Sequence, residues 1–422
     1  MYNRLRKFNS VHTPVLAPGL LPAPDAAPQQ PVKLIRICLL ALFTGLMGAI
    51  FARGIYAAFF FLGNLLYLGR FSFDSFDVYY SGVGLLMVLL PVAATALWLW
   101  LKRKARPGYQ LSLIPLLATG IPWGMDGAIS YFNSTWIIQV KERFKLTDKE
   151  VEILTVAVAG GAIAWCFGTP VAAVACCLEL FLAEITLATI LPLLIVVAMS
   201  AIFQLHPPSY DLLVSNSDEY TLLWLYGTIG IFGSLLAVLF RNVYLWLQRK
   251  SISLPPKKQW LLLAPALITG LAIWYYPEAY GPGNDLLAPL LHGGVTLRVI
   301  LLICLGRFMC SLFYNSTSMI GTSVTTLLVI GAAWGLLVGF TFQVCNPHLH
   351  VSSTLIALAG MAAFLTGSTR AVLTALIFTI EMSHSAQVLP AVSIACAAAY
   401  ATNCLLSLRQ IRASLFAPGN EF

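Results

Sequence analysis

The sequence predicts an all-α, polytopic membrane protein made of two matching halves with broken helices. Three observations predict it. First, 59% of the 422 residues are hydrophobic and only 10% are charged, with a mean hydropathy of +0.83, whereas soluble domains carry roughly 25% charged residues. Second, apolar runs of near-spanning length recur along most of the chain, which a soluble protein with a greasy core would not need. Third, one small-residue pattern ending in glutamate occurs twice, about half a chain apart.

Taken in order, residues 1–32 ("VLAPGLLPAPDAAPQQP" among them) are Pro- and Ala-rich and read as a disordered cytoplasmic tail. They lack the continuous apolar core of a signal peptide. Residues 33–205 form the expected first transmembrane repeat, 206–405 the second, and 406–422 a short basic cytoplasmic tail. The runs "ICLLALFTGLMGAIF" (37–51), "GVGLLMVLLPVAATALWLWL" (82–101) and "LAEITLATILPLLIVVAMSAIF" (182–203) approach or reach the ~20 apolar residues of a bilayer-spanning helix.

Basic residues gather at Lys33 and Arg36, at "LKRKAR" (101–106), at "QRKSISLPPKK" (248–258), and at Arg409 and Arg412. Under the positive-inside rule these mark cytoplasmic loops. Two spans between Arg36 and Lys102 return the chain to the same side, so both termini are expected in the cytoplasm. The net charge of +8 is thereby assigned to loops facing a membrane and not to a nucleic-acid surface. The nine cysteines lie mostly in apolar stretches without paired metal-ligand spacing. "CNPHLH" (345–350) brings His348 and His350 together in a Pro-containing segment with no acidic partner, which reads as a solvated loop. No metal and no cofactor are expected.

"FGTPVAAVACCLEL" (167–180) and "STRAVLTALIFTIEM" (368–382) align so that Glu179 matches Glu381, an offset of 381 − 179 = 202 residues. A Gly- and Ala-rich segment precedes each copy ("AVAGGAIAW", "LAGMAAFL"), followed by a short turn ("FGTP", "GSTR") and a small-residue helix ending in Glu. Small residues let helices approach closely in lipid, and paired Gly/Pro-broken segments in corresponding positions mark an internal-repeat transporter.

Other hydrophobic segments break early. "LLATGIPWGMDGAISYF" (116–132) carries Gly120, Pro122, Gly124 and Gly127, and "YNSTSMIGTSVTTLLVIGAAWGLL" (314–337) has Ser and Thr at cap-like positions before an apolar helix. A helix that starts inside the bilayer aims unsatisfied N–H groups and the positive end of its dipole at what lies in front, and an anion suits that place.

These segments resemble the CLC chloride channels and proton-coupled chloride transporters, as a divergent, bacterial-type member. "FGTPVAAVACCLEL" is similar to the family's Phe-Asn-Ala-Pro segment with its helix ending in Glu-Glu, and "STRAVLTALIFTIEMS" to the second-half segment ending in Glu-Met-Thr. "GRFMCSLFYNSTSMIGTSVTTLLVIGAAWG" (306–335) fits the segment carrying Gly-Ile-Phe-Ala-Pro, and "VLPAVSIACAAAYATNCLL" (388–406) the one after it. The resemblance spans roughly residues 33–415 and implies an inverted repeat, re-entrant helices and a homodimer with one pathway per subunit. The anion motif falls on Thr322-Ser323-Val324-Thr325-Thr326, so the anion-holding N–H groups would come from Ser323 and Val324, with Thr322 beside them and a hydroxyl added by Ser323.

The gating glutamate of Gly-Arg-Glu-Gly-Pro falls near "GMDGA" (124–128). With one gap Asp126 takes its place, without it Met125; a plain interfacial-loop Asp126 is the competing reading. "ATGIP" (118–122) resembles the family's Gly-Ser-Gly-Ile-Pro, giving Thr119 and Gly120 as further site residues. The family spaces the two motifs by tens of residues, so either a helix pair after "LKRKAR" is lost or the "TGIP" match is accidental. The internal proton-transfer glutamate falls on Leu180, beside Glu179, and the central tyrosine on Ile411. Glu179 is therefore either a structural helix-end carboxylate, like Glu381, or an improvised proton path. Arg307 and Arg370 read as salt-bridged structural residues, and the alternative for Arg370 is a place lining an anion vestibule.

Three functions follow from this reading: channel-like or weakly coupled passage of a small inorganic anion, chloride by default; proton-coupled chloride exchange; and a non-conducting scaffold or partner subunit. No HExxH, nucleophile elbow or phosphate-binding loop is present, so no enzyme is expected.

Overall fold

The structure, a computed structural model, describes residues 33–415 apart from 104–108, 183, 205–209, 211, 213–221, 253–259, 262, 278–279, 319–321 and 347–350. The tail at 1–32, the end of the basic tail, and the His348 and His350 loop lie outside the described residues.

The described residues form fifteen α-helices. The first half contains α1 (Leu34–Gly63), α2 (Leu86–Arg103), the short α3 (Leu113–Ala118), α4 (Met125–Val140), α5 (Asp148–Phe167), α6 (Pro170–Cys176, continued by a π turn over Cys177–Phe181) and α7 (Leu187–Phe203). The second contains α8 (Leu223–Ile252), α9 (Leu263–Tyr275), α10 (Asn284–His292), α11 (Leu297–Ser318), α12 (Val324–Cys345), α13 (Ser353–Thr369), α14 (Val372–Ser383) and α15 (Leu389–Leu415).

Local chemistry sets the boundaries. Thr147 and Glu150 close a capping box that starts α5, and Gly168 at φ 68 stops it. Pro170 then opens α6, where its missing N–H costs nothing. Ser323 caps α12, its hydroxyl accepting the N–H of Thr326. The 202-residue offset reappears in the backbone: Arg370 at φ 65 ends α13 where Gly168 ends α5.

Among the described residues six helices are long and apolar enough to cross a membrane, and six more apolar helices run 10–17 residues. Seventeen residues rise about 25 Å against a hydrocarbon core of about 30 Å. A helix of that length that stops or starts within the bilayer needs its broken backbone covered by protein. Helix α13 meets that condition, since every residue from Thr354 to Thr369 is buried. It lies against α12 at backbone contact: a Cβ on Gly335 would stand 2.6 Å from the Ile356 carbonyl and 2.7 Å from Gly360 Cα. Between α2 and α4 the described chain has only a 3₁₀ turn (Tyr109–Ser112) and the six-residue α3, so the two motifs that the family resemblance separates stand close together.

Candidate functional site

Helices α4 and α12 begin at the same point in the protein interior, and each supplies the other's missing partner. Asp126 lies in the first turn of α4 but its carboxylate reaches α12. The Val324 N–H donates to Oδ2 at 2.8 Å and the Thr325 hydroxyl to Oδ1 at 2.6 Å, with further backbone hydrogen bonds from Thr325 and Gly127. In return, the Gly124 N–H at the cap of α4 donates to Ser323 Oγ at 2.9 Å. Thr326 ties the junction further, donating to the Pro122 carbonyl at 3.3 Å while its Oγ1 lies 3.0 Å from Ser323 Oγ. Such closeness needs glycine at 124: a Cβ there would stand 2.2 Å from Ser323 Oγ and 2.5 Å from Asp126 Oδ1.

A buried carboxylate is costly unless hydrogen-bonded. Asp126 is 3% exposed, and its support is the positive end of α12 together with a hydroxyl. No Lys or Arg among the described residues pairs with it. Those N–H groups would serve equally for a small anion if the carboxylate moved away, and one proton on Asp126 would remove its claim on them. The interfacial-loop reading of Asp126 is thus corrected: the group is interior, in a helix's first turn. Met125, the alternative occupant of the motif, is buried in the apolar cluster with Trp123 and Ile129.

The structure brings Asp126, Ser323 and Val324 together. Thr322 is buried one residue outside and hydrogen-bonds Tyr244 of α8. Thr119 and Gly120 do not present donors to the junction. The Thr119 hydroxyl donates to the Leu116 carbonyl at 2.7 Å and its carbonyl accepts from Tyr67. The Gly120 carbonyl accepts from Gly281 N–H at 3.3 Å. Both residues therefore anchor the loop that leads into α4. Gly124, Thr325 and Thr326 lie in the two motif segments, but the sequence alone assigns none of them a binding role. Hydroxyl residues at the second and third positions of α12 were the available signal.

Glu179 and Glu381 form a second cross-helix exchange, between α6 and α14. Glu179 accepts from the N–H groups of Leu373 (3.3 Å) and Thr374 (2.8 Å) and from the Thr374 hydroxyl (2.8 Å). Glu381 accepts from Val171 (3.0 Å) and Ala172 (2.7 Å). Each carboxylate closes the other helix's N-terminus. The expected salt bridge of Arg307 is absent among the described residues: the fully buried guanidinium instead donates to the Tyr280 carbonyl at 2.8 Å. Arg370 donates to Asn403 Oδ1 at 3.1 Å.

Known proteins share both sequence and fold with this chain. The H(+)/Cl(-) exchange transporter ClcA of Vibrio vulnificus (strain YJ016) is 24% identical over 284 residues, covering 64% of this chain and 60% of that protein. ClcA of Citrobacter koseri is 28% identical over 187 residues, 43% of this chain and 39% of that one. The chain thus spans about 60% of the length of the first of these curated relatives. Among solved structures, a slow cyanobacterial Cl−/H+ antiporter superposes with a TM-score of 0.68 at 21% identity, covering 93% of this chain and all of that one. A CLC-type fluoride/proton antiporter superposes at 0.61 and 17% identity, over 88% and 96%. These two likenesses establish the fold. The family model described as voltage gated chloride channel matches residues 104–403, which include both broken-helix junctions. With most of its length matched by that model, this multi-pass membrane chain belongs to the voltage gated chloride channel family.

Proposed function

We propose that the chain carries a small inorganic anion, chloride by default, across the membrane past the α4–α12 junction, with Asp126 as a proton-sensitive gate. The observation that carries this is the Asp126 carboxylate on the Val324 N–H and Thr325 hydroxyl. Backbone donors suit a transported halide because they bind it without the grip of a fixed cation. A permeating anion and the carboxylate compete for one set of donors. Acid that protonates Asp126 releases the donors to the anion.

The relatives, an exchange transporter and an antiporter by name, favour exchange of the anion for protons over channel-like passage. In that reading Asp126 is the outer proton site. Glu179 would have to leave the α14 N-terminus to act as the inner one, so its capping role is the simpler assignment.

A homodimer is supported by the face around that second exchange. Val171 and Leu373 are 59% and 53% exposed beside partly exposed carboxylates, a mixture that lipid tails cover poorly and a second copy covers well. Cytoplasmic termini in a cell membrane follow from the basic loops.

Purified protein in chloride-loaded liposomes should release chloride when a potassium ionophore shunts the voltage, faster at acidic pH. A chloride gradient should also move protons against their own gradient if exchange operates. Release no faster than from empty vesicles would overturn the transport reading in favour of a non-conducting subunit, and flux without proton movement would overturn exchange.

A further inference from the structure

Thr325 faces a second acceptor. Its hydroxyl has one hydrogen, which in this structure goes to Asp126 Oδ1 at 2.6 Å. On its other side lies Asn284 Oδ1 at 3.4 Å, beyond the usual O–H···O range. Asn284 is the first residue of α10 and is held firmly. Gly283 before it sits at φ 93, and a Cβ there would be 2.7 Å from Arg307 Nη1. Arg307 is anchored on the Tyr280 carbonyl, and Gly281 N–H on the Gly120 carbonyl of the loop before α4. The acceptor therefore stands on the same braced loop system that leads into the gate helix.

We propose that Asn284 is a positioning residue that reads the proton on Asp126 through Thr325. When Asp126 is ionised, the Thr325 hydroxyl points to it. When Asp126 gains a proton from water, the new carboxyl O–H donates to Thr325 Oγ1, and the Thr325 hydrogen turns to Asn284. One proton is taken up, one O–H bond forms, the Asp126–Thr325 hydrogen bond reverses direction, and a new one forms from Thr325 to Asn284. Asn284 thereby stabilises the protonated gate, and Thr325 the ionised one. The inference rests on the gate reading of Asp126 for its functional meaning, although the proton switch exists without transport. Other titratable groups within electrostatic reach of this chain of contacts are Cys166 of α5 and Cys176 of α6, which feel Asp126, and Asp285, which feels Arg307.

The test is an infrared titration of the full chain in lipid, following the protonated-carboxyl C=O band that disappears in Asp126→Asn. Asn284→Leu should move the protonation midpoint to lower pH by roughly half a unit to one unit, the effect of one neutral hydrogen bond. Thr325→Val should move it to higher pH. Asn284→Leu added to Thr325→Val should change nothing further, because the reader is already gone. Asn284→Ala, which removes the acceptor without adding bulk, should match Asn284→Leu. An unmoved midpoint in the Asn284 variants, or an undiminished Asn284 effect without the Thr325 hydroxyl, would overturn the inference. The titration reads the proton whether or not chloride flows, so a failure of the gate reading would show only in the flux of Asp126→Asn and leave this result standing.

Discussion

The α4–α12 junction and the α6–α14 junction use the same physics with different symmetry. In both, the first turn of one broken helix is closed by a side chain from another helix roughly two hundred residues away. At α6–α14 both closing groups are carboxylates, Glu179 and Glu381, each on two backbone N–H groups. At α4–α12 the exchange is unequal: a carboxylate closes α12, and a neutral hydroxyl closes α4. The equal pair locks both helices. The unequal pair leaves one charged group whose loss or protonation would free the donors of a single helix terminus, those that the proposed function gives to the anion. A staple and a gate differ here in which end could accept a mobile ion.

The comparison breaks most readily at Asp126. Asp126→Asn keeps the shape and removes the charge, so chloride efflux from liposomes at neutral pH should rise on the order of 10- to 100-fold and lose its pH dependence. That range corresponds to the roughly 1.5–3 kcal/mol of a charge-assisted hydrogen bond. Unchanged, pH-dependent flux would place the gate elsewhere.

Glu381→Ala and Glu179→Ala should act on stability and spare the pH dependence. Each leaves two helix-end N–H groups without a partner, a loss of about 1–2 kcal/mol, visible as a lower Tm in detergent. A shifted pH profile in Glu179→Ala would instead show that it carries protons.

Helix–helix contact offers a similar contrast between the halves. Gly335→Ala forces a methyl onto backbone, the Ile356 carbonyl and Gly360 Cα, and overpacking of that kind costs about 1–3 kcal/mol. Gly161→Ala meets mainly side chains, Ser200 Oγ at 2.6 Å and Val196 Cγ1 at 3.0 Å, which can turn away. Its Tm loss should be the smaller of the two.

The smallest effect is expected at Ser323→Ala. It strands the Gly124 N–H and removes the α12 cap, a loss of about 1 kcal/mol, and anion flux should persist because the Val324 N–H is backbone. Loss of flux in a folded Ser323→Ala protein would make the hydroxyl a required ligand.

Much of the architecture was legible because it is written locally. Hydropathy marked the helices. Pro170 after Gly168 marked a broken pair, and Ser323 marked the start of α12 by the same capping chemistry that the structure shows. The site was legible only in part, because its contacts join residues far apart in sequence. Whether Asp126 or Met125 meets α12 turns on one gap in the sequence; both are buried, and only the bonds to Val324 and Thr325 tell them apart. The string "TGIP" says little about where Thr119 points, because a threonine at a helix end can satisfy its hydroxyl on the carbonyl three residues back, here Leu116. Nothing in the sequence near Asn284 tells of Thr325, since α10 and α12 are brought together by packing alone.

The most direct measurement is anomalous diffraction from bromide-soaked crystals of the wild type and of Asp126→Ala. Bromide is expected beside the Val324 and Thr325 N–H groups once the side chain is shortened, in the position that the carboxylate otherwise holds. An Asp126→Ala crystal with no bromide there, at concentrations that fill other halide sites in the protein, would contradict the shared use of those donors by gate and anion.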